Sequence, residues 1–171
     1  MRVTGYKIRE RLDELKLDKD LLASRFNDSL YVFEGEEKET PLSLANELQS
    51  LEYKIAALQM FQANYNLQVQ VRVAGELMTL CEAIKRRGGA SRMESLWRRT
   101  ADGLSGGIGG RYYDDRVKDT DKIYAIPSMS SIDVSEQVKL AAKYVAAIGA
   151  AIAEGNTREI DIPGMDESLF E

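Results

Sequence analysis

Leu44, Leu48, Leu51, Ile55 and Leu58 recur at alternating steps of four and three, and Gln62 and Tyr65 carry the series on. A period near 3.5 residues sustained this long describes an α-helix with one narrow apolar stripe. Ile8, Leu12, Leu15, Leu22 and Phe26 keep the same steps from about Tyr6 to about Asn27, with Lys19 interrupting once. Thr40 is placed to cap the second helix and Pro41 to begin it. At 1.5 Å per residue each helix runs roughly 35 Å, and the Glu-rich FEGEEKETP loop between them makes the pair an antiparallel hairpin over 6–65. Two narrow stripes do not close a core, so a third helix must cover them, from this chain or from a second copy.

The period then changes to two. Leu67, Val69, Val71 and Val73 alternate with polar residues, the pattern of a half-buried strand. Ala74-Gly75-Glu76 reads as a turn from which LMT pairs back. Thr79-x-x-Glu82 and Ser91-x-x-Glu94 are two capping boxes, predicting two short helices separated at Gly88-Gly89, the second stopping near Gly103. Glycine crowds the stretch from Gly103 to Gly110, which reads as a loop, with KIYAIP a short extended piece. Val134, Val138, Ala141, Val145, Ile148 and Ile152 predict a last long helix over 133–154, ended by Gly155-Asn156, then a strand in REIDI and an acidic tail. The expected fold is mainly helical α+β, one domain over 1–171: a long antiparallel helical hairpin, a third long helix in a bundle, two short basic helices and a small β element.

Composition removes several functions. The chain has no histidine and a single cysteine, Cys81. The usual general base and the commonest transition-metal ligand are therefore missing, and no internal disulfide is available. Cys81 reads as buried and inert. Asp114, Asp115, Asp119 and Asp121 are interleaved with Arg116, Lys118 and Lys122 and lack EF-hand spacing, so no metal is expected. No nucleophile–base pair assembles, so the chain is not expected to be an enzyme, and no cofactor fingerprint is present. The N-terminus becomes charged before any apolar run, and YVAAIGAAIA is too short to span a bilayer. A cytoplasmic protein without a membrane partner is the expectation.

Positive charge is gathered in one place. Between Lys85 and Lys118 nine basic residues stand against four acidic ones, so this segment carries +5 and leaves −10 for the rest of a chain whose net charge is −5. The overall sign argues against nucleic acid as a partner. A helix start at Gly88-Gly89 and Ser91 would offer free N–H groups to an anion. Around it Arg86, Arg87, Arg92, Arg98, Arg99 and Arg111 supply forked donors for phosphate oxygens, and Trp97 and Tyr112 supply faces on which a base would stack. The competing reading is a solvated charged surface that meets the acidic EGEEKE loop of a neighbouring copy.

The order of a charged first helix, an EGE loop, QANYNLQVQV and MTLCEAIKRR resembles the septicolysin-like group of small bacterial and phage proteins. The likeness covers roughly the first half of the chain and implies a long helical hairpin and self-association. Two functions follow as expectations. One is a non-catalytic oligomeric protein that captures a phosphate-bearing, nucleotide-like molecule, as a phage-encoded sequestering protein would. The other is a structural or assembly protein acting through helix–helix self-association.

Overall fold

Thr4 Oγ1 accepts the Lys7 N–H at 3.2 Å and starts α1, Gly5–Ser29. Thr40 Oγ1 likewise accepts the Ser43 N–H at 3.3 Å, with Pro41 the first residue of α2, Pro41–Gln68. The computed structural model describes residues 2–31, 34, 36, 39–105 and 128–170. The fold is mainly helical α+β, as the stripes predict. A strand β1, Arg2–Val3, precedes α1. The hairpin strands β2, Gln70–Val73, and β3, Glu76–Thr79, follow α2. Then come α3, Leu80–Ser105, α4, Ser131–Thr157, β4, Ile160–Asp161, and a 3-10 turn, Glu167–Phe170. Length alone suggests one domain; the chain gathers into two compact units.

The first unit holds residues 1–71, 78–81 and 153–171. Its core is the stripe of each hairpin helix: Ile8, Leu12, Leu15 and Leu22 from α1, and Leu44, Ile55, Leu58, Phe61 and Tyr65 from α2. Lys19, the break in the first stripe, reaches out to Glu52 at 3.3 Å, a link that fits an antiparallel pair. Long side chains can lie along apolar surface and still place the charge in water. β1 pairs antiparallel with β4, Arg2 opposite Asp161 and Val3 opposite Ile160.

One node ties three helix ends together. Tyr65 is fully buried, and its hydroxyl donates toward the Gly155 and Arg158 carbonyls, each at 2.8 Å. The same oxygen accepts the Gly5 backbone N–H. Helix ends leave N–H and C=O groups without intrahelical partners, and here one side chain serves the start of α1 and the end of α4. Burial raises the Tyr65 pKa above its ordinary value near 10. Gly155, expected to terminate the last helix, instead lies inside it. A Cβ there would stand 2.7 Å from Val71 Cγ1 and 3.0 Å from Leu80 Cδ1, so the glycine permits close approach and α4 runs on to Thr157.

The β2–β3 turn forms where expected. Ala74 and Gly75 both take positive φ, +49° and +93°, which is the turn geometry that matches strand twist. Val69, Val71 and Val73 are buried and their neighbours exposed, as the alternation predicts. Leu67 departs from it. The Val69 N–H donates to the Tyr65 carbonyl at 3.0 Å, so the helical ladder extends through Gln68 and Leu67 belongs to α2, where it is exposed.

The second unit holds residues 72–77 and 82–152. Here the two short basic helices of the sequence reading are corrected to one: α3 runs unbroken through Gly88, Gly89 and Ser91. A glycine stops a helix by taking left-handed φ, and among the described glycines only Gly75 and Gly164 do so. The i,i+4 pairs Glu82–Arg86 and Glu94–Arg98 stabilise the helical turns on either side of the glycine step. A Cβ at Gly88 or Gly89 would meet only the Arg92 guanidinium, at 3.5 and 4.0 Å. Gly88→Ala and Gly89→Ala are therefore expected to stabilise the protein by up to about 1 kcal/mol each. A lowered melting temperature in both would restore the helix break.

α4 begins with a reciprocal cap. The Asp133 N–H donates to Ser130 Oγ at 3.1 Å, and Ser130 Oγ donates to Asp133 Oδ2 at 2.7 Å, so the helix starts at Ser131, slightly before the expected Asp133. Val134, Ile148 and Ala151 are its buried positions in this unit. Among the described residues no helix is long and apolar enough to cross a membrane.

Candidate functional site

The proposed anion cradle depended on a helix N-terminus at Gly88-Gly89. In the middle of α3 those N–H groups belong to the helical i→i−4 ladder and Ser91 caps nothing, so the cradle is absent. The basic residues must therefore be judged as side chains on a continuous helix.

At about 100° per residue, α3 sends them in different directions. Ala83, Ala90, Trp97 and Leu104 follow at seven-residue steps along the less exposed side; Ala83 is buried and the other three are half-buried. Trp97 thus lies with the packed residues. Lys85, Arg92 and Arg99 follow the same seven-residue step on the opposite, exposed side, and Arg87 and Arg98 form another exposed pair. A ligand held by the Lys85–Arg92–Arg99 row would not reach the Trp97 ring. Arg111 and Tyr112, the glycine-rich segment and the aspartates from 114 to 121 lie outside the described residues.

Arg86 has a different task. Its Nη1 donates to Glu76 Oε2 at 2.7 Å, and its Nη2 donates to Glu76 Oε1 at 3.0 Å and Glu82 Oε1 at 2.6 Å. A further hydrogen bond joins it to Tyr144 of α4. The forked guanidinium matches a carboxylate with two parallel bonds, which fixes direction as well as charge. These bonds raise the Arg86 pKa, the Glu76 bond foremost, and the same bond and charge hold the Glu76 carboxyl below its ordinary value near 4.5. Arg86 is a clamp joining β3, α3 and α4 within the second unit. Both of its Nη groups are already engaged.

The other cations divide in the same way. Arg98 binds Glu94 through Nε at 2.9 Å and Nη2 at 2.7 Å. Arg99 Nε donates to the Ser95 carbonyl at 3.3 Å. Lys85, Arg87 and Arg92 make no ion pair among the described residues. Of the predicted site, only a row of exposed charges persists.

A shallow groove of about 460 Å³ runs between α1 and α2, with Leu22 and Leu51 in its floor and Asp18, Arg25, Glu47 and Lys54 on its rim. Alternating signs around the rim give it no preference for an anion or a cation. Among the described residues no three His, Cys, Asp or Glu side chains converge as metal ligands. Cys81 is half-buried, more open than expected.

The feature missed by sequence reasoning is the outer face of α2. Leu42, Tyr53, Met60 and Leu67 are exposed there at 73%, 68%, 59% and 58%. The only charged residues of α2 are Glu47, Glu52 and Lys54, and from Ile55 to Val71 there is none. A helix with one packed face ordinarily carries charge on the other. The charge-free run was the available signal; the cleaner inner stripe concealed it.

No protein-family model matches the chain, and no curated protein does. A solved structure of a functionally unknown conserved protein from Corynebacterium diphtheriae is similar over 94% of this chain and 100% of its own, at 20% identity and a TM-score of 0.67. At that identity the likeness establishes the fold alone.

Proposed function

We propose that this chain is a non-catalytic assembly protein that acts through helix–helix self-association. The observation that carries the reading is α2, whose inner face is packed in the hairpin core and whose outer row, from Leu42 to Leu67, is uncharged, largely apolar and in water. Scattered exposed apolar residues are ordinary on a monomer, but an uncharged row of them aligned along one long helix marks an interaction surface. The absence of histidine from the chain agrees with a role that needs no proton transfer near neutral pH. Sedimentation equilibrium tests the reading: an oligomer whose population rises with concentration is expected. A monomer at the highest attainable concentration removes it.

A second reading, capture of a phosphate-bearing anion, is favoured by the exposed Lys85–Arg92–Arg99 row. It is the weaker of the two, because Arg86 and Arg98 have intramolecular carboxylate partners and the helix-end cradle is missing. A thermal-shift panel of mono-, di- and cyclic nucleotides distinguishes them, since ligand binding to the folded state raises its stability and self-association does not require it.

A further inference from the structure

The outer face of α2 has a definite pattern. Leu42, Asn46, Gln49, Tyr53, Ala56, Met60, Ala63 and Leu67 are all exposed and follow at steps of four and three. Such a series is a coiled-coil seam, each residue facing a partner helix once per half-heptad. It is also symmetric about its midpoint between Lys54 and Ile55: reversing the helix maps Leu42 onto Leu67, Asn46 onto Ala63, Gln49 onto Met60 and Tyr53 onto Ala56.

We infer that this face binds the same face of a second copy, with the two α2 helices antiparallel about a two-fold axis at the midpoint. The inference rests on the self-association proposed above and names its surface, partner and register. Antiparallel pairing puts Tyr53 against the partner's Ala56 and Met60 against the partner's Gln49, large beside small or slender, as interdigitating knobs require. A parallel pair would place Tyr53 on Tyr53 and Ala56 on Ala56, a clash beside a gap. Reversal also sets opposed helix dipoles side by side.

Charge agrees with the reversal. Glu52, which flanks the row, falls opposite the partner's Ala57, whereas parallel helices would bring it near its own copy; Glu47 and Lys54 line the groove toward α1 instead. A symmetric dimer needs one self-complementary patch, and this row is one. The seam spans roughly 37 Å of helix. A stable interface of about 1,200 Å² in total asks on the order of 75 Å² from each of the eight positions in each copy, within reach of a row that includes an exposed tyrosine, methionine and two leucines. The outer row of α1, by contrast, sets Tyr6 and Leu17 among Arg9, Glu10, Asp13 and Glu14, so pairing it with a second copy would bury charges of both signs.

The test uses the full chain in a Cys81→Ser background. Leu42→Cys and Leu67→Cys copies, tagged to differ in size and mixed under oxidising conditions, are expected to form a disulfide with each other and not with themselves. Homotypic Leu42→Cys and Leu67→Cys products overturn the antiparallel register. Separately, Tyr53→Lys and Met60→Lys are expected to weaken self-association about tenfold or more while circular dichroism shows unchanged helicity. An oligomer that persists undiminished in both variants overturns this interface but leaves self-association standing. A monomeric parent protein overturns both. Substituting exposed positions keeps the folding of each copy outside the measurement.

Discussion

Tyr65→Phe is expected to cost about 1–3 kcal/mol, because the change removes a hydroxyl and takes a hydrogen-bond partner from each group around it. Those groups are the Gly155 and Arg158 carbonyls, each 2.8 Å from the hydroxyl, and the Gly5 N–H; the Gly155 carbonyl keeps a second partner, the Arg158 N–H at 3.2 Å. The ring stays, so packing is nearly unchanged and the loss isolates the polar node. Tyr65→Ala adds the cavity and should cost about 3–5 kcal/mol or more in all, a large part of the stability of an ordinary domain. Urea unfolding followed by circular dichroism measures both. A loss under about 0.5 kcal/mol in Tyr65→Phe would show that water or a shifted backbone takes over the bonds, and the node would then not be what holds the three helix ends together.

The node also marks where sequence reading stops. Tyr65 was legible as the last step of the 4-3 series, hence as an inward-facing residue. Its hydroxyl partners lie 90 and 93 positions further along the chain, and no local pattern links them. The hairpin itself was legible in detail, down to the Thr40 cap and the Lys19 interruption, because helix periodicity and capping are decided within a few residues. α3 shows the reverse error. Two sound local signals, a Gly-Gly step and the Ser91-x-x-Glu94 box, predicted a break that the structure does not contain. Without a left-handed residue to end it, a helix crossing two glycines loses only about 2 kcal/mol of propensity, which flanking ion pairs and packing offset.

That error moved the candidate site. With a helix end at Gly88, eleven residues converge on one phosphate-bearing ligand; with α3 continuous, Arg86 turns to Glu76, Trp97 turns inward, and the remaining described charges spread along the outside. A linear cluster of charge became a surface row. Meanwhile the inner stripe of α2, read as core or subunit seam, is occupied within its own copy: Leu44, Ile55, Leu58 and Tyr65 are all buried in the first unit. The surface left for another chain is the opposite face, and its signal was a missing property, charge, rather than a motif.

Leu58→Ala separates those two faces of α2 most sharply. Leu58 is fully buried, so truncation loses its transfer free energy and leaves a cavity among α1 and α2 side chains; about 2–5 kcal/mol is expected. Met60, two residues away and 59% exposed, should tolerate Ala within about 0.5 kcal/mol when unfolding is measured in dilute, monomeric protein. The ordering reverses for association. Leu58→Ala leaves the outer row intact, so the folded protein should self-associate with nearly parental affinity. Met60→Ala trims the seam and should weaken it, and its apparent stability should then depend less on protein concentration. Urea midpoints at two concentrations, with the slope checked for constancy, measure both effects in one series. If Leu58→Ala abolished association in protein that is still folded, the inner stripe would be the seam, and the assignment of α2's two faces would have to be exchanged.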